Sequence, residues 1–286
     1  MSVLEVRKTC KLYLGGEFVR SESGRYDAIR DPRGRLRANV PRGSRKDLRE
    51  AVVRARAAQA KWAGTSGYLR GQILYRMAEM MGGRSGEFET LLRSAGATAA
   101  AARREVRASI DRIVHFAGWT DKYQALLSSV NPVASSYFDF SQPEPMGIVG
   151  ITAPERPALL GVVTHTLPAI VSGNCVVMLL PESDPLPALE WAEVLATSDL
   201  PGGVINLISG RREELVPHLA RHMDVNALGL AGLPRDLEVA AREDAAVNVK
   251  RVPQRTIADY FSSAAQHLDQ VRDFVETKTT WHPVGY

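Results

Sequence analysis

Residues 173–195 read GNCVVMLLPESDPLPALEWAEVL: an apolar run reaches a Pro-Glu-Ser-Asp-Pro turn and opens into a helical pattern. The run CVVMLL, residues 175–180, has no polar alternate face, so it reads as a strand covered on both sides. Three further compact apolar runs, at 147–151, 204–208 and 225–230, are separated from it and from one another by helical patterns. Apolar runs alternating with helices build βαβ units, and these give an α/β fold with a parallel sheet and right-handed crossovers. Ligands of such sheets bind beyond the carboxyl ends of the strands. The turn at Pro181, Glu182 and Ser183 stands at such an end.

Upstream, KLYLGGEFVRSESGRYDAIRDPRG has the glycines and short alternating segments of a hairpin-like start. Ser44, with Asp47 three residues on, reads as the cap of a helix carrying Leu48, Ala51, Val52, Ala55 and Trp62 at helical spacing. A second amphipathic helix fits 68–81. A longer one fits 103–127, with Val106, Ile110, Ile113, Val114 and Ala117 on one face. Segment 131–145 is broken by prolines and reads as extended, a hairpin arm outside the main core. At the other end, FVETKTTWHP alternates Val275, Thr277, Thr279 and Trp281 against Glu276, Lys278, Thr280 and His282, the pattern of a half-buried strand. Such a strand closes on the chain's own arm or adds to a sheet edge of another chain.

Composition excludes several classes. With 45% hydrophobic and 24% charged residues the chain is an ordinary globular one. No run of about 18 apolar residues is present and the N-terminus lacks a signal-peptide pattern, so a cytoplasmic location is expected. Two cysteines, Cys10 and Cys175, make no disulfide framework. The net charge of +4 is concentrated in 30–61, with eleven Lys/Arg against three Asp/Glu. Without interleaved aromatic residues this segment reads as a solvated helix face and loop, not as a nucleic-acid surface. His218 and His222 stand four apart but lack an HExxH word or a third ligand, so no metal is expected. His165 reads as a packing histidine.

The words LYLGGEFV, EPMGIVGI with APERPAL, LPAIVSGNCVVMLLPESDPL, LPGGVINLISG, VNALGLAG, NVKRV and FVETKTTWHPVG, in this order, resemble the aldehyde dehydrogenase superfamily. The resemblance implies a Rossmann-like parallel sheet with flanking helices, an N-terminal helical layer, a protruding β oligomerisation arm and a C-terminal strand. Residues 1–130 and 146–253 would form the nucleotide-binding domain, and 131–145 with 254–286 the oligomerisation elements. Its cofactor contacts would fall at Pro154, Pro181, Glu182 and Gly232, and its subunit contacts at Val275, Thr277, Thr279, Trp281 and His282.

The departures are as informative. The family's Pro-Trp-Asn word, whose Asn amide stabilises the oxyanion, reads Pro154-Glu155-Arg156-Pro157 here. Leu180 stands where the family has a ribose-binding Lys, Glu182 fits the family's Glu position poorly, and Gly232-Leu233-Pro234 replaces a Gly-Ser word. After Lys250-Arg251-Val252 the family's general-base word and the domain with the nucleophilic Cys do not follow. The resemblance therefore implies a catalytic domain that is absent and a chain with no catalytic residue: neither Cys10 nor the strand residue Cys175 suits a nucleophile. The expected function is a non-catalytic subunit, a pseudoenzyme, that pairs with itself or with a complete aldehyde dehydrogenase and holds NAD weakly or not at all. The alternative is an NAD-binding component of a shared active site.

Overall fold

The computed structural model describes residues 9–285; residues 1–8, on which part of the leader reading falls, and Tyr286 lie outside the described residues. The four apolar runs form β7 (Ile148–Thr152), β8 (Cys175–Leu179), β9 (Ile205–Ile208) and β10 (Ala227–Gly229), a parallel set in the order β10-β7-β8-β9. Every residue of β7, β8 and β9 is buried, as strands rich in Val, Ile and Leu require, and the one side-chain amide among them, Asn206, donates to the Val176 and Gly203 carbonyls. The hairpin of β1 (Leu12–Leu14) and β2 (Glu17–Val19) extends this sheet antiparallel from β9, and turns through Gly15 and Gly16, both at positive φ. A second hairpin, β3 (Tyr26–Arg30) and β4 (Leu36–Pro41), is tied to the end of β9 by Ser209 Oγ donating to the Pro41 carbonyl at 2.7 Å.

An N-terminal helical layer covers the sheet. It comprises α1 (Arg45–Ala63), α2 (Gly67–Gly83), α3 (Ser85–Ser94), α4 (Ala99–Ala117) and the short α5 (Tyr123–Leu127). Helix α1 begins in the capping box that Ser44 and Asp47 predict, and the buried Trp62 donates its indole N–H to the Ile170 carbonyl at 3.0 Å. Ser44→Ala removes the acceptor for two backbone N–H groups; the expected loss is about 1 kcal/mol, read as a lower midpoint in thermal denaturation. The single helix expected over 103–127 is instead two. Thr98 caps α4 earlier than predicted, Gly118 ends it, and a turn precedes α5. Val114 is 41% exposed, because the buried stripe of α4 runs through Val106, Ser109, Arg112, Ile113 and Phe116 and leaves position 114 on its flank. The crossover helices are α6 (Leu160–Val171), α7 (Leu186–Ala196), α8 (Arg212–Arg221) and α9 (Arg235–Ala246).

The arm is a separate three-stranded sheet in the order β11-β6-β5, from β5 (Ser129–Asn131), β6 (Tyr137–Pro145) and β11 (Val275–Pro283). Nine antiparallel register pairs, from Val275↔Pro145 to Pro283↔Tyr137, zip β11 onto the chain's own β6. The alternation in β11 predicts one buried face, and this is corrected: only Val275 is buried, and both faces of the rest are exposed. The buried face of the arm lies on β6, at Asp139, Ser141 and Pro143, and does not extend to β11 beyond Val275.

Residues 254–274 connect the core to β11 and include α10 (Asp269–Arg272). Their anchor is Arg112 of α4, 3% exposed. Its guanidinium donates to Gln266 Oε1 (2.9 Å), Thr164 Oγ1 (2.7 Å), the Ala265 carbonyl (2.6 Å) and the Tyr260 carbonyl (2.8 Å). His165 Nε2 meets the Tyr260 hydroxyl at 2.9 Å, and Arg104 lies 4.1 Å over the Phe261 ring.

Candidate functional site

The carboxyl ends of β7, β8 and β9 converge on the turn quoted at the outset. Leu180 continues the ladder, its N–H donating to the Ile208 carbonyl at 2.9 Å, and its side chain is buried in the core. It therefore lacks an amine and also faces away from any ligand. Glu182 is occupied: Oε1 accepts the Arg212 backbone N–H at 2.5 Å, which satisfies one orphan donor at the start of α8, and Oε2 lies 3.3 Å from Arg211 Nη1.

Glu155 and Arg212 meet across this site. The Glu155 carboxylate accepts the backbone N–H of Glu182 (3.1 Å) and of Ser183 (2.9 Å), and pairs with Arg212 Nη2 at 2.7 Å. Arg212, 5% exposed, also donates to the Gly232 carbonyl at 2.7 Å and to the Ala153 carbonyl. One buried guanidinium thus ties together the ends of β7 and β10 and the start of α8. Burial raises the Glu155 carboxyl, but Ser183, Arg212 and the Glu182 N–H outweigh it and hold the group below its ordinary range. Burial lowers the Arg212 pKa against the pull of Glu155 and Glu182.

These contacts decide whether a dinucleotide fits. The opening at the strand ends measures about 250 Å³ and is lined by residues that include Pro181, Glu182, Ser183, Ser209, Arg211 and Asp27. Ligand pockets for drug-sized molecules span roughly 300–1,000 Å³, and a dinucleotide is larger than most of these ligands. Of the four positions that the resemblance implies for cofactor contact, Pro181 and Glu182 line this opening. Pro154 and Gly232 instead pack on each other: a Cβ built on Gly232, at φ +65°, would lie 2.8 Å from Pro154 Cα. Helix α9, which would receive a pyrophosphate, starts at Pro234 without a side-chain cap and carries Asp236 and Glu238 in its first turn. Carboxylates there oppose an anion. None of the four positions brings a cation or a hydroxyl to a dinucleotide.

The remaining candidates have other surroundings. Cys175 is buried in β8, and burial pushes its thiol up to about 12. Cys10 is half-buried in the lining of a depression of about 1120 Å³ formed by the hairpins, α3 and α7. His218 and His222 have no companions: no group of three metal-ligating side chains occurs among the described residues. In the basic segment, Arg35, Arg37, Arg42, Lys46 and Arg54 pair with Asp31, Asp184, Asp27, Glu22 and Glu50. On the arm, Val275 is 4% exposed and packs into the chain's own core, so its side chain is not open to a partner as the sequence suggests. Thr277, Thr279, Trp281 and His282 are exposed; Thr279 Oγ1 bonds Ser141 Oγ at 2.8 Å, and Trp281 meets the Tyr137 ring edge at 5.9 Å between centroids. Arg212 and Arg112 were not foreseen from the sequence. A second arginine straight after the Gly210-Arg211 turn of a strand end was the available signal for the first.

The parallel sheet with its flanking helices and the β arm define a Rossmann-like α/β protein with an added arm. The chain belongs to the aldehyde dehydrogenase family, whose model matches residues 18–255. It is 30% identical over 248 residues to the cytosolic 10-formyltetrahydrofolate dehydrogenase of Xenopus tropicalis, covering 85% of this chain and 28% of that protein. It is 27% identical to omega-crystallin of Enteroctopus dofleini over 85% of this chain and 50% of the relative. The NAD+ complex of an aldehyde dehydrogenase from Bacillus cereus superposes with a TM-score of 0.81 at 24% identity, over 86% of this chain and 50% of that one. The chain thus spans half or less of the length of these relatives. No helix among the described residues is long and apolar enough to cross a membrane.

Proposed function

We propose that this chain is a non-catalytic aldehyde-dehydrogenase-like subunit of the cytoplasm. It assembles through its arm with a complete aldehyde dehydrogenase, or with a second copy of itself, in a structural or regulatory role. The observation that carries this reading is β11, a nine-residue outer strand with one edge unpaired among the described residues and its side chains exposed beyond Val275. A long open edge is a template for another strand. On this arm Trp281 of β11, Tyr137 and Phe138 of β6 and Val130 of β5 are 56%, 46%, 46% and 68% exposed, large apolar groups suited to anchoring a partner. The closed strand-end cleft supports the non-catalytic part, and it argues against the alternative of an NAD-binding partner in a shared active site.

The test is affinity purification of the tagged chain from its native cells with mass-spectrometric identification, paired with light scattering of the purified chain. The expected result is a full-length aldehyde dehydrogenase in near-stoichiometric amount, or a defined homo-oligomer that Trp281→Ala weakens at least tenfold. A monomer that recovers no dehydrogenase ends this reading. Calorimetry with 1 mM NAD, on the order of ordinary physiological affinities, is expected to give no binding heat; saturable heat would favour the alternative.

A further inference from the structure

The ion pair at the strand ends has the composition of an occupied anion site. Two main-chain N–H groups, from Glu182 and Ser183, and the Arg212 guanidinium converge on one carboxylate within 2.7–3.1 Å. The donors are fixed: two belong to the backbone, and Arg212 is held by the Gly232 and Ala153 carbonyls. The occupant is less so, since the Glu155 side chain is 38% exposed against 6% for that of Arg212. Arg212 also keeps a buried Nε that has no hydrogen-bond partner among the described residues, so the guanidinium has unused capacity for an acceptor. Around it, Arg211 faces both Glu182 and Asp27, and Asp27 is held by Arg42 as well. With the Glu155 carboxylate removed, four guanidiniums (Arg25, Arg42, Arg211 and Arg212) stand in this network against three carboxylates (Asp27, Glu182 and Glu214), a balance that favours a small anion over a cation.

We propose that Glu155 is a tethered ligand: its carboxylate fills an anion cradle built by Arg212 and the Glu182 and Ser183 N–H groups, and this internal occupant holds the dinucleotide cleft shut. The proposal rests on the reading of the cleft as closed to NAD. It adds a ligand class, a small oxyanion such as phosphate or the phosphoryl end of a metabolite, that the cradle takes once the tether leaves. Here the chain supplies its own charge and keeps the three strand ends joined without a mobile ligand.

The experiment compares thermal denaturation of the parent chain, Glu155→Ala, and Glu155→Ala combined with Arg212→Met, in phosphate and in chloride at matched ionic strength. All proteins gain some stability from phosphate by exclusion, so the readout is the gain of each variant beyond that of the parent. Glu155→Ala is expected to melt lower in chloride and to recover by about 3 °C in 50 mM phosphate, while the double variant recovers nothing beyond the parent. Equal phosphate gains in the parent and in Glu155→Ala, or a gain that survives Arg212→Met, overturn the proposal. If Glu155→Ala does not fold in chloride, refolding yield replaces the melting point: a yield that rises only in phosphate supports the cradle, and one indifferent to phosphate refutes it. The reading of the cleft fails separately, through saturable NAD heat in the parent chain.

Discussion

Arg112→Ala should lower stability by about 3–5 kcal/mol, a fall in Tm on the order of 10 °C, with the C-terminal segment released ahead of the core. The size follows from what the guanidinium does. It is buried with no carboxylate partner among the described residues, it donates four hydrogen bonds, and three of them hold residues 260–266 against α4. Truncation removes the donor from the buried Ala265 carbonyl and Thr164 Oγ1 and from the partly buried Tyr260 carbonyl, and each unpaired buried acceptor costs about 1–3 kcal/mol. Burial already pushes Arg112 down to about 10, which still leaves it charged at neutral pH. Chemical denaturation gives the magnitude, and hydrogen exchange gives the place: amides of β11 should lose protection while those of β8 keep it. A loss below about 1 kcal/mol with unchanged exchange would mean that Val271 and Phe274, packed against the core, hold the tail by themselves.

The second large effect is on pH. Burial first, and the nearby Arg112 charge second, push the His165 imidazole down to about 4 in the folded chain, from 6.5. The groups around it are Arg112 of α4, the Tyr260 hydroxyl, and Arg255 and Asp273 in the wall of a small cavity that His165 lines. Because the folded value lies below the unfolded one, the unfolded chain takes up the proton first. Stability contributed by the neutral ring is therefore whole above pH 6.5 and is lost as pH falls from 6.5 towards 4. The slope is about 1.4 kcal/mol per pH unit and the full loss about 3 kcal/mol, somewhat less because the ring is only partly buried. His115, 2.7 Å from the Gln266 carbonyl and also lowered by burial, adds in the same direction. Denaturation midpoints at intervals from pH 7.5 to 4.5 should show this slope, and His165→Phe should flatten it. An identical slope in the variant would assign acid lability to the other groups whose folded values are lowered, His115, His218 and His222 among the histidines and Asp27 and Glu155 among the carboxylates.

Both predictions concern residues 254–274, the part of the chain least legible from pattern. In that segment no periodicity is sustained, and its order comes from a long-range clamp: Arg112 lies about 150 positions away from Tyr260 and Gln266 in the chain. A buried arginine on an amphipathic helix looks like a solvated one in a sequence, because its spacing is the same. The helical layer shows the same limit on a smaller scale. Boundaries moved where Thr98 and Gly118 supplied caps that periodicity does not register, and Val114 left the core because the stripe turned by a fraction of a residue.

The sequence by itself determined the α/β class, the four parallel strands, the Ser44 cap and the family. Each of these rests on local chemistry: a run with no polar face cannot stay in water, and a capping box needs only four neighbouring residues. It also determined that Leu180 brings no charge to the strand end. The tertiary structure decided which groups meet at the strand ends, where Glu155 and Glu182 accept the backbone and guanidinium donors. Glu155, Glu182, Arg212 and Gly232 lie on four different segments, and only folding brings them to one point. It decided too that β11 spends one edge on its own arm and leaves both faces open, because register is set by pairing between strands more than 130 residues apart.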